Sequence, residues 1–416
     1  MSAVAGIVPG TSVGERSESV SVRDASRTSR SVSRGGKRRS STRETMRIPP
    51  MLHFISMALF DIFGKKKSKS VLGVDVGSSS LKVVQLRREG GIAVLETYGE
   101  IALGPAASAE VGQATNLPPD KIAASLKDLL REANVTTTDA GISIPFSRSL
   151  LTLVSLPRRD DPEEQKTVIS LEARKYIPVP VQEVQLDWFV VPEALPEGTE
   201  PSQNVNVLLV AVHNDELTLL QSVVQGANLE ASFYEIEIFS TIRSVVDEPV
   251  KPVMVLDIGA SATKVYVVER GVVALSHNIR EGGQDVTRTI ASAHGLDVAK
   301  AETLKKEHGF ADGKGAYDRK TIELVFSRIF EEARRAVGKY EREHEKAVSS
   351  LILTGGGGVT KELASYAQTF FSTEVRVADP FAKTSAPAFM RPVLQEIGPE
   401  FAVAVGLALR KLEELG

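Results

Sequence analysis

Two stretches of the chain repeat one pattern of chemically useful side chains. Residues 74–86 read VDVGSSSLKVVQL and residues 256–268 read LDIGASATKVYVV. They match at an Asp, a Gly two residues on, a Ser, a Lys seven residues past the Asp and the Val that follows it. In each copy a β-branched apolar strand ends in the carboxylate and runs into a turn of small side chains, whose backbone N–H groups can approach an anion. Asp75 and Asp257 cannot hold phosphate themselves, because like charges repel. They make sense beside phosphate only if Mg²⁺ or its water shell lies between. One Asp-x-Gly turn would carry little, since such turns are common in hairpins. Two related copies, each with its lysine at the same offset, are harder to dismiss.

A third element, residues 351–360 (LILTGGGGVT), is an apolar strand that runs into four glycines. A helix is predicted to begin near Thr360. Glycines there permit positive φ and leave room for a flat group against bare backbone, while a helix N-terminus offers free N–H groups. A flexible Gly turn is the competing reading. The stretch has neither the GxxxxGK[ST] spacing of a P-loop nor the GxGxxG of a dinucleotide site.

To position these groups the chain needs two strand–turn–strand hairpins of one design, one in each of two lobes. Its size allows this: 416 residues, 42% hydrophobic and 25% charged, can bury more than one core. With no Cys, six scattered His and a formal net charge of -3, a disulfide framework, a thiolate metal site and a surface that grips nucleic acid are all disfavoured. His294, His308 and His344 lack the spacing of a metal site. No run approaches the roughly 18 apolar residues of a membrane-spanning helix. Residues 1–68 form a leader, Ser/Arg-rich over 1–49 and expected to be disordered. Within it LHFISMALFDIF (52–63) is apolar but too short to span, which leaves a weak surface anchor open, and Met57 is a candidate true start of translation.

Strand–Asp-x-Gly hairpin, second Asp-x-Gly hairpin, then strand–Gly-Gly-Gly, in that order, resembles the actin, Hsp70 and sugar-kinase superfamily. Within it, VLGVDVGSSSLKVVQL, ISLEARKYIPVPVQEVQLDWFVV, REGGQDVTRTIA and FAVAVGLALRKL are similar to the PilM family of type IV pilus assembly proteins, with the cell-division protein FtsA as a cousin. The resemblance covers about residues 69–413. It implies an α/β, two-lobed actin-like (ribonuclease H-like) ATPase fold with four subdomains, including an inserted subdomain of the FtsA and PilM type.

By position, Gly77, Ser78, Ser79, Ser80 and Lys82 match the first phosphate loop, and Gly259, Ala260, Ser261 and Thr263 the second. Asp75 and Asp257 match the Mg²⁺-side carboxylates, and Gly356, Gly357 and Gly358 the adenosine loop. AETLKK (301–306) resembles the helix that reaches the ribose and base, which makes Glu302 and Lys305 candidates for hydrogen bonds there. A solvated charged face is the alternative. The water-orienting residue of the superfamily has two candidates, Glu235 and Glu237, in YEIEIFSTIRSV, for both of which an exposed charge at a helix start competes. Any catalytic role is assigned to Asp257 and Glu237. ATP and Mg²⁺ are the implied ligands, with at most slow hydrolysis.

The resemblance divides the chain into a first lobe at 69–143 (closed by 389–416), an insert at 144–230, a connection at 231–252, a second lobe at 253–285 and 347–388, and a helical outer subdomain at 286–346. In the last, Ile322, Phe326, Ile329, Phe330, Ala333, Val337 and Tyr340 recur at helical spacing and read as core. The Pro-rich 192–201 reads as a loop. The implied function is an ATP-binding adaptor at the cytoplasmic face of the inner membrane. It would bind the cytoplasmic tail of a PilN-like bitopic protein and link it to PilO and the pilus motor. In the insert, IPFSRSLLTLVSLP is expected to give one strand face to the lobe and the other to an extended peptide, or to bury both. An FtsA-like polymerising ATPase, a small-molecule kinase and an ATP-independent scaffold are the alternatives.

Overall fold

The computed structural model describes residues 3–7, 70–192, 202–247, 251–311 and 317–415. β1 (Ala3–Ile7) lies beside the first lobe's strands β2 (Ser70–Val76), β3 (Ser80–Glu89) and β4 (Ile92–Ala102). α1 (Pro119–Glu132) and β5 (Asp139–Ile144) follow. The insert contributes β6 (Ser149–Pro157), α2 (Pro162–Ala173), β7 (Val184–Val190) and β8 (Asn204–His213). The chain then returns through α3 (Asn214–Gly226), β9 (Glu230–Ile236) and α4 (Glu237–Val245). The second lobe has β10 (Val253–Ile258), β11 (Thr263–Glu269), β12 (Val272–Ile279), α5 (Gly283–His294), α6 (Val298–His308), α7 (Arg319–His344), β13 (Ser350–Thr354), α8 (Leu363–Phe371) and β14 (Glu374–Val377). α9 (Arg391–Ile397) and α10 (Ala402–Glu414) close the chain.

The sequence repeat is a repeat of topology. One sheet runs β1-β4-β3-β2-β5-β9 and the other β12-β11-β10-β13-β14. In each, an antiparallel hairpin is extended by a strand parallel to its first member, β5 on β2 and β13 on β10. These strands are buried on both faces, which is why they read as continuous apolar runs. α10 packs on β2 so closely that a Cβ at Gly73 would lie 2.0 Å from the Ala404 carbonyl oxygen. The α7 stripe predicted as core is buried throughout, with Val325 added to it.

Three expectations change and one left open is resolved. The leader was expected to lack structure, yet Ala3–Ile7 pairs antiparallel with β4 as an edge strand; the rest of the leader, like 193–201 of the Pro-rich loop, lies outside the described residues. The helix after the glycines starts at Leu363, not near Thr360, because turns continue through Glu362, whose φ is 61°. α3, assigned to the insert, packs instead on α1 through Leu217, Leu220 and Val223 in the first lobe's core, so the separate three-stranded sheet (β6-β8-β7) ends at His213. Both faces of β6 are also committed: Leu151 and Leu153 face the first lobe's core, while Val154 and Leu156 pack with Ile169 and Ala173 of α2. Strand alternation places neighbours on opposite faces, and here each face meets protein.

Ala388–Glu414 is long and apolar enough by composition to cross a membrane, but it is mostly buried. α10 uses its apolar residues to cover the first lobe's sheet.

Candidate functional site

Both hairpins bring the same groups to the same place. Asp75 sits opposite Lys82 across β2 and β3, and Asp257 opposite Lys264 across β10 and β11. Each turn closes by one bond: Gly77 N–H donates to Ser80 O at 3.1 Å and Gly259 N–H to Ala262 O at 2.9 Å. The two turns meet, with Ser78 Oγ 3.1 Å from Ser261 Oγ. Around this meeting point opens a cleft of about 1320 Å³, lined by residues of both lobes. It is larger than the roughly 300–1,000 Å³ usual for small-ligand sites.

Burial and like charge shape its electrostatics. Burial, reinforced by the Glu237 charge, pushes the Asp75 carboxyl up to about 6, even though Lys82 and Lys264 act against the shift. Ser143 Oγ donates to Asp75 Oδ1 at 3.0 Å and itself accepts from Val76 N–H. Burial alone would lower Lys264, but Asp257 and then Glu237 more than offset it, so its ammonium stays charged well above its ordinary range. That ammonium lies 2.8 Å from Glu237 Oε2 and 3.4 Å from Asp257 Oδ2. Lys82 is likewise held charged against its burial, by Glu100 (2.9 Å) and then Glu400. A polyphosphate entering the cleft therefore finds two lysines with their charges fixed.

The glycine loop closes the far wall. Gly355, at φ 77°, takes a left-handed conformation, and a Cβ there would fall 2.4 Å from Asp257 Oδ1. Gly357 N–H donates to Ile258 O at 2.8 Å, which seats the loop on the second hairpin's first strand. α5 locks the second turn from behind, Gly283 and Gln284 N–H donating to Gly259 O and Ala260 O. Glu302 of α6 accepts from Thr287 Oγ1 (2.6 Å) and Lys305 Nζ (2.7 Å). Burial would raise its carboxyl, but Lys305 first of all holds it below the usual carboxylate range.

Of the residues singled out from the sequence, Asp75, Gly77, Ser78, Ser79, Ser80, Lys82, Glu237, Asp257, Gly259, Ala260, Ser261, Glu302, Lys305, Gly356, Gly357 and Gly358 all line the cleft. Thr263 does not join them: its buried hydroxyl donates to Glu281 O, because the first position of β11 points into the lobe. Neither glutamate of the connection is an exposed charge. Glu235 is buried between Arg243 and Arg410, whose guanidiniums override the effect of burial and hold its carboxyl below the usual range. It is a structural clamp between α4 and α10 and cannot reach the cleft's chemistry. Glu237 does reach it, and its Oε1 accepts Phe146 N–H at 2.7 Å.

Sequence reasoning left four residues of the site unassigned. Lys264 lay in plain view as the repeat-mate of Lys82. Gly355 was passed over for its neighbours, though it is the loop glycine with positive φ. Ser143 and Glu400 are brought in by tertiary contacts and had no local signal.

Mg²⁺ fits this donor set. Among the described residues no three carboxylate or imidazole groups converge tightly enough to ligate a metal alone. Mg²⁺ usually takes one or two carboxylates and completes its shell with water and phosphate oxygens. Asp75 and Asp257, both buried and both at the cleft, suit that role.

Two lobes of one repeated topology, with phosphate-type turns facing each other across a cleft, define an actin-like ATPase fold. A family model described as type IV pilus assembly protein PilM matches residues 73–412, and the chain belongs to that family. Among solved structures, a chain of a PilM-PilN type IV pilus biogenesis complex is similar, with 26% identity and a TM-score of 0.70, covering 82% of this chain and 98% of that one. Cell division protein FtsA of Escherichia coli (strain K12) is 26% identical over 231 residues, 48% of this chain and 54% of FtsA. The chain thus spans about half the length of the curated relatives it matches.

Proposed function

We propose that the chain is a cytoplasmic ATP-binding adaptor of the type IV pilus inner-membrane assembly complex, peripheral at the inner face of the membrane, which binds the cytoplasmic tail of a PilN-like bitopic protein and through it PilO and the pilus motor. The observation that carries the nucleotide half is the pair of duplicated turns meeting at Ser78 and Ser261 over one cleft. The partner half rests on family membership and on the likeness to a PilM-PilN complex.

In this reading the turn N–H groups and Lys82 hold the β-phosphate end, Asp75 and Asp257 hold Mg²⁺, and Gly356–Gly358 offer flat backbone to the adenosine. When bound, Mg²⁺ neutralises phosphate charge beside the carboxylates. Glu302 and Lys305, which line the same cleft, are the candidates for hydrogen bonds to the ribose and base. Glu237 is the group placed to orient a water, yet both its oxygens already accept hydrogen bonds. Slow turnover follows from that.

The same cleft is also lined by Leu117, Ile122, Pro145, Arg148 and Leu219, residues of the first lobe and the root of the insert, which we take as a partner recess. This recess is the proposed seat of the partner tail, whose extended, partly apolar segment suits its walls. The test uses the full chain, with calorimetry for Mg-ATP and photo-crosslinking of a synthetic PilN-like tail from positions 147 and 219. Crosslinks confined to the second lobe would overturn the partner site. ATP-dependent pelleting in place of tail binding would favour the filament-forming FtsA-like reading, which the FtsA match motivates.

A further inference from the structure

Glu237 is the residue at which three parts of the molecule meet. It opens α4, the element between the lobes. Its Oε2 accepts from Lys264 Nζ of the second lobe at 2.8 Å. Its Oε1 accepts from Phe146 N–H at 2.7 Å, three residues before β6 begins the insert. A carboxylate with both oxygens bonded fixes the distance between its two partners.

The insert also touches the second lobe directly, β6 against β12. Ser276 Oγ, on the edge strand β12, donates to Leu151 O of β6 at 3.1 Å. β6 is itself an edge strand of the insert's sheet, so its outer side faces the second lobe at this bond. The root of β6 is thus tied to the cleft and its body to the lobe across the cleft.

Lys264 is the cation of this junction. Its ammonium is a compact point charge on a flexible stem, and lysine of this kind is a common phosphate ligand. It lines the cleft beside Gly259 and Ser261, and its partners there are carboxylates. A nucleotide polyphosphate seated on the two turns competes with those carboxylates for the same ammonium.

We infer that Lys264 is a second phosphate-binding lysine, and that its exchange between Glu237 and nucleotide phosphate transmits nucleotide occupancy to the root of the insert through the Glu237–Phe146 bond. Occupancy then loosens or re-aims Glu237, which changes the hold on Phe146 and on β6 behind it. A ligand shifts a distant segment only through such a difference in contacts. The inference rests on the nucleotide-binding reading above and adds the route by which nucleotide reaches the partner-binding insert.

The experiment is amide hydrogen exchange of the full chain with and without Mg-ATP, read over residues 146–157, alongside calorimetry. Wild type should bind Mg-ATP and change its exchange rate in that segment. Lys264→Met should lose at least about tenfold in affinity, as expected for a lost charge-assisted contact. Glu237→Gln keeps the shape and an acceptor for Phe146 but removes the ion pair. At nucleotide levels that saturate each variant, its response over 146–157 should vanish. A full response in Glu237→Gln, or wild-type affinity in both Lys264→Met and Lys264→Gln, overturns the inference. Wild type that binds nucleotide without any change over 146–157 overturns it too and leaves the nucleotide reading intact. Failure of wild type to bind Mg-ATP overturns both.

Discussion

Asp75→Asn should stabilise the folded chain at neutral and alkaline pH while weakening its hold on Mg-ATP. The carboxyl is pushed up from 3.8 to about 6, chiefly by burial and then by the Glu237 charge. A carboxyl with a raised folded value binds its proton more tightly folded than unfolded. Its contribution therefore opposes folding once the proton is lost, the reverse of a salt-bridged Asp. The penalty is absent below about pH 3.8, grows as pH rises towards 6, and is complete above 6. At about 1.4 kcal/mol per pH unit, the gap amounts to about 3 kcal/mol. Asn keeps the acceptor for Ser143 Oγ, which donates to Oδ1 at 3.0 Å, so little packing is lost. Urea unfolding of wild type and variant at pH 8 should show a gain approaching that figure, shrinking towards zero as the pH is lowered to about 4. An equal gain at both pH values, or none at pH 8, would refute the electrostatic reasoning. Calorimetry on the same variant should show weaker Mg-ATP binding. A residue that costs stability where it stands is what a binding site is expected to contain.

Asp257→Ala should lower Mg-ATP affinity by about 10- to 100-fold in calorimetry, the scale of a lost charge-assisted contact, with a much smaller effect on the urea midpoint. Thr263→Val should leave that affinity unchanged and cost about 1–2 kcal/mol in urea unfolding, because Glu281 O loses its buried donor. Glu235→Gln should destabilise by about 3–5 kcal/mol, since Arg243 and Arg410 lose the buried carboxylate that stands between them; a loss under about 1 kcal/mol in thermal or urea unfolding would show that the clamp is not a buried ion pair in solution.

The cleft was legible because most of its lining is built from local, duplicated motifs. Asp75 and Asp257, their small-residue turns and the glycine loop each lie within a dozen consecutive residues, and strand alternation plus turn chemistry dictate how such segments fold. The α7 core stripe was legible for the same reason, as a period of 3.6 written into one helix. What short-range pattern could not carry was anything that depends on a partner far along the chain. Glu235 and Glu237 stand two residues apart and look alike in sequence. Only the packing of α10 brings Arg410 to the first, and only the juxtaposition of β10–β11 and the insert brings Lys264 and Phe146 to the second. Thr263 shares the motif's spacing with true cleft residues, but its first-strand position turns it inward. The faces of β6 were equally open until α2 and the first lobe covered one each. Periodicity fixes which side chains share a face, whereas what that face meets, and therefore which charge is buried, paired or left to bind a ligand, is decided by long-range packing.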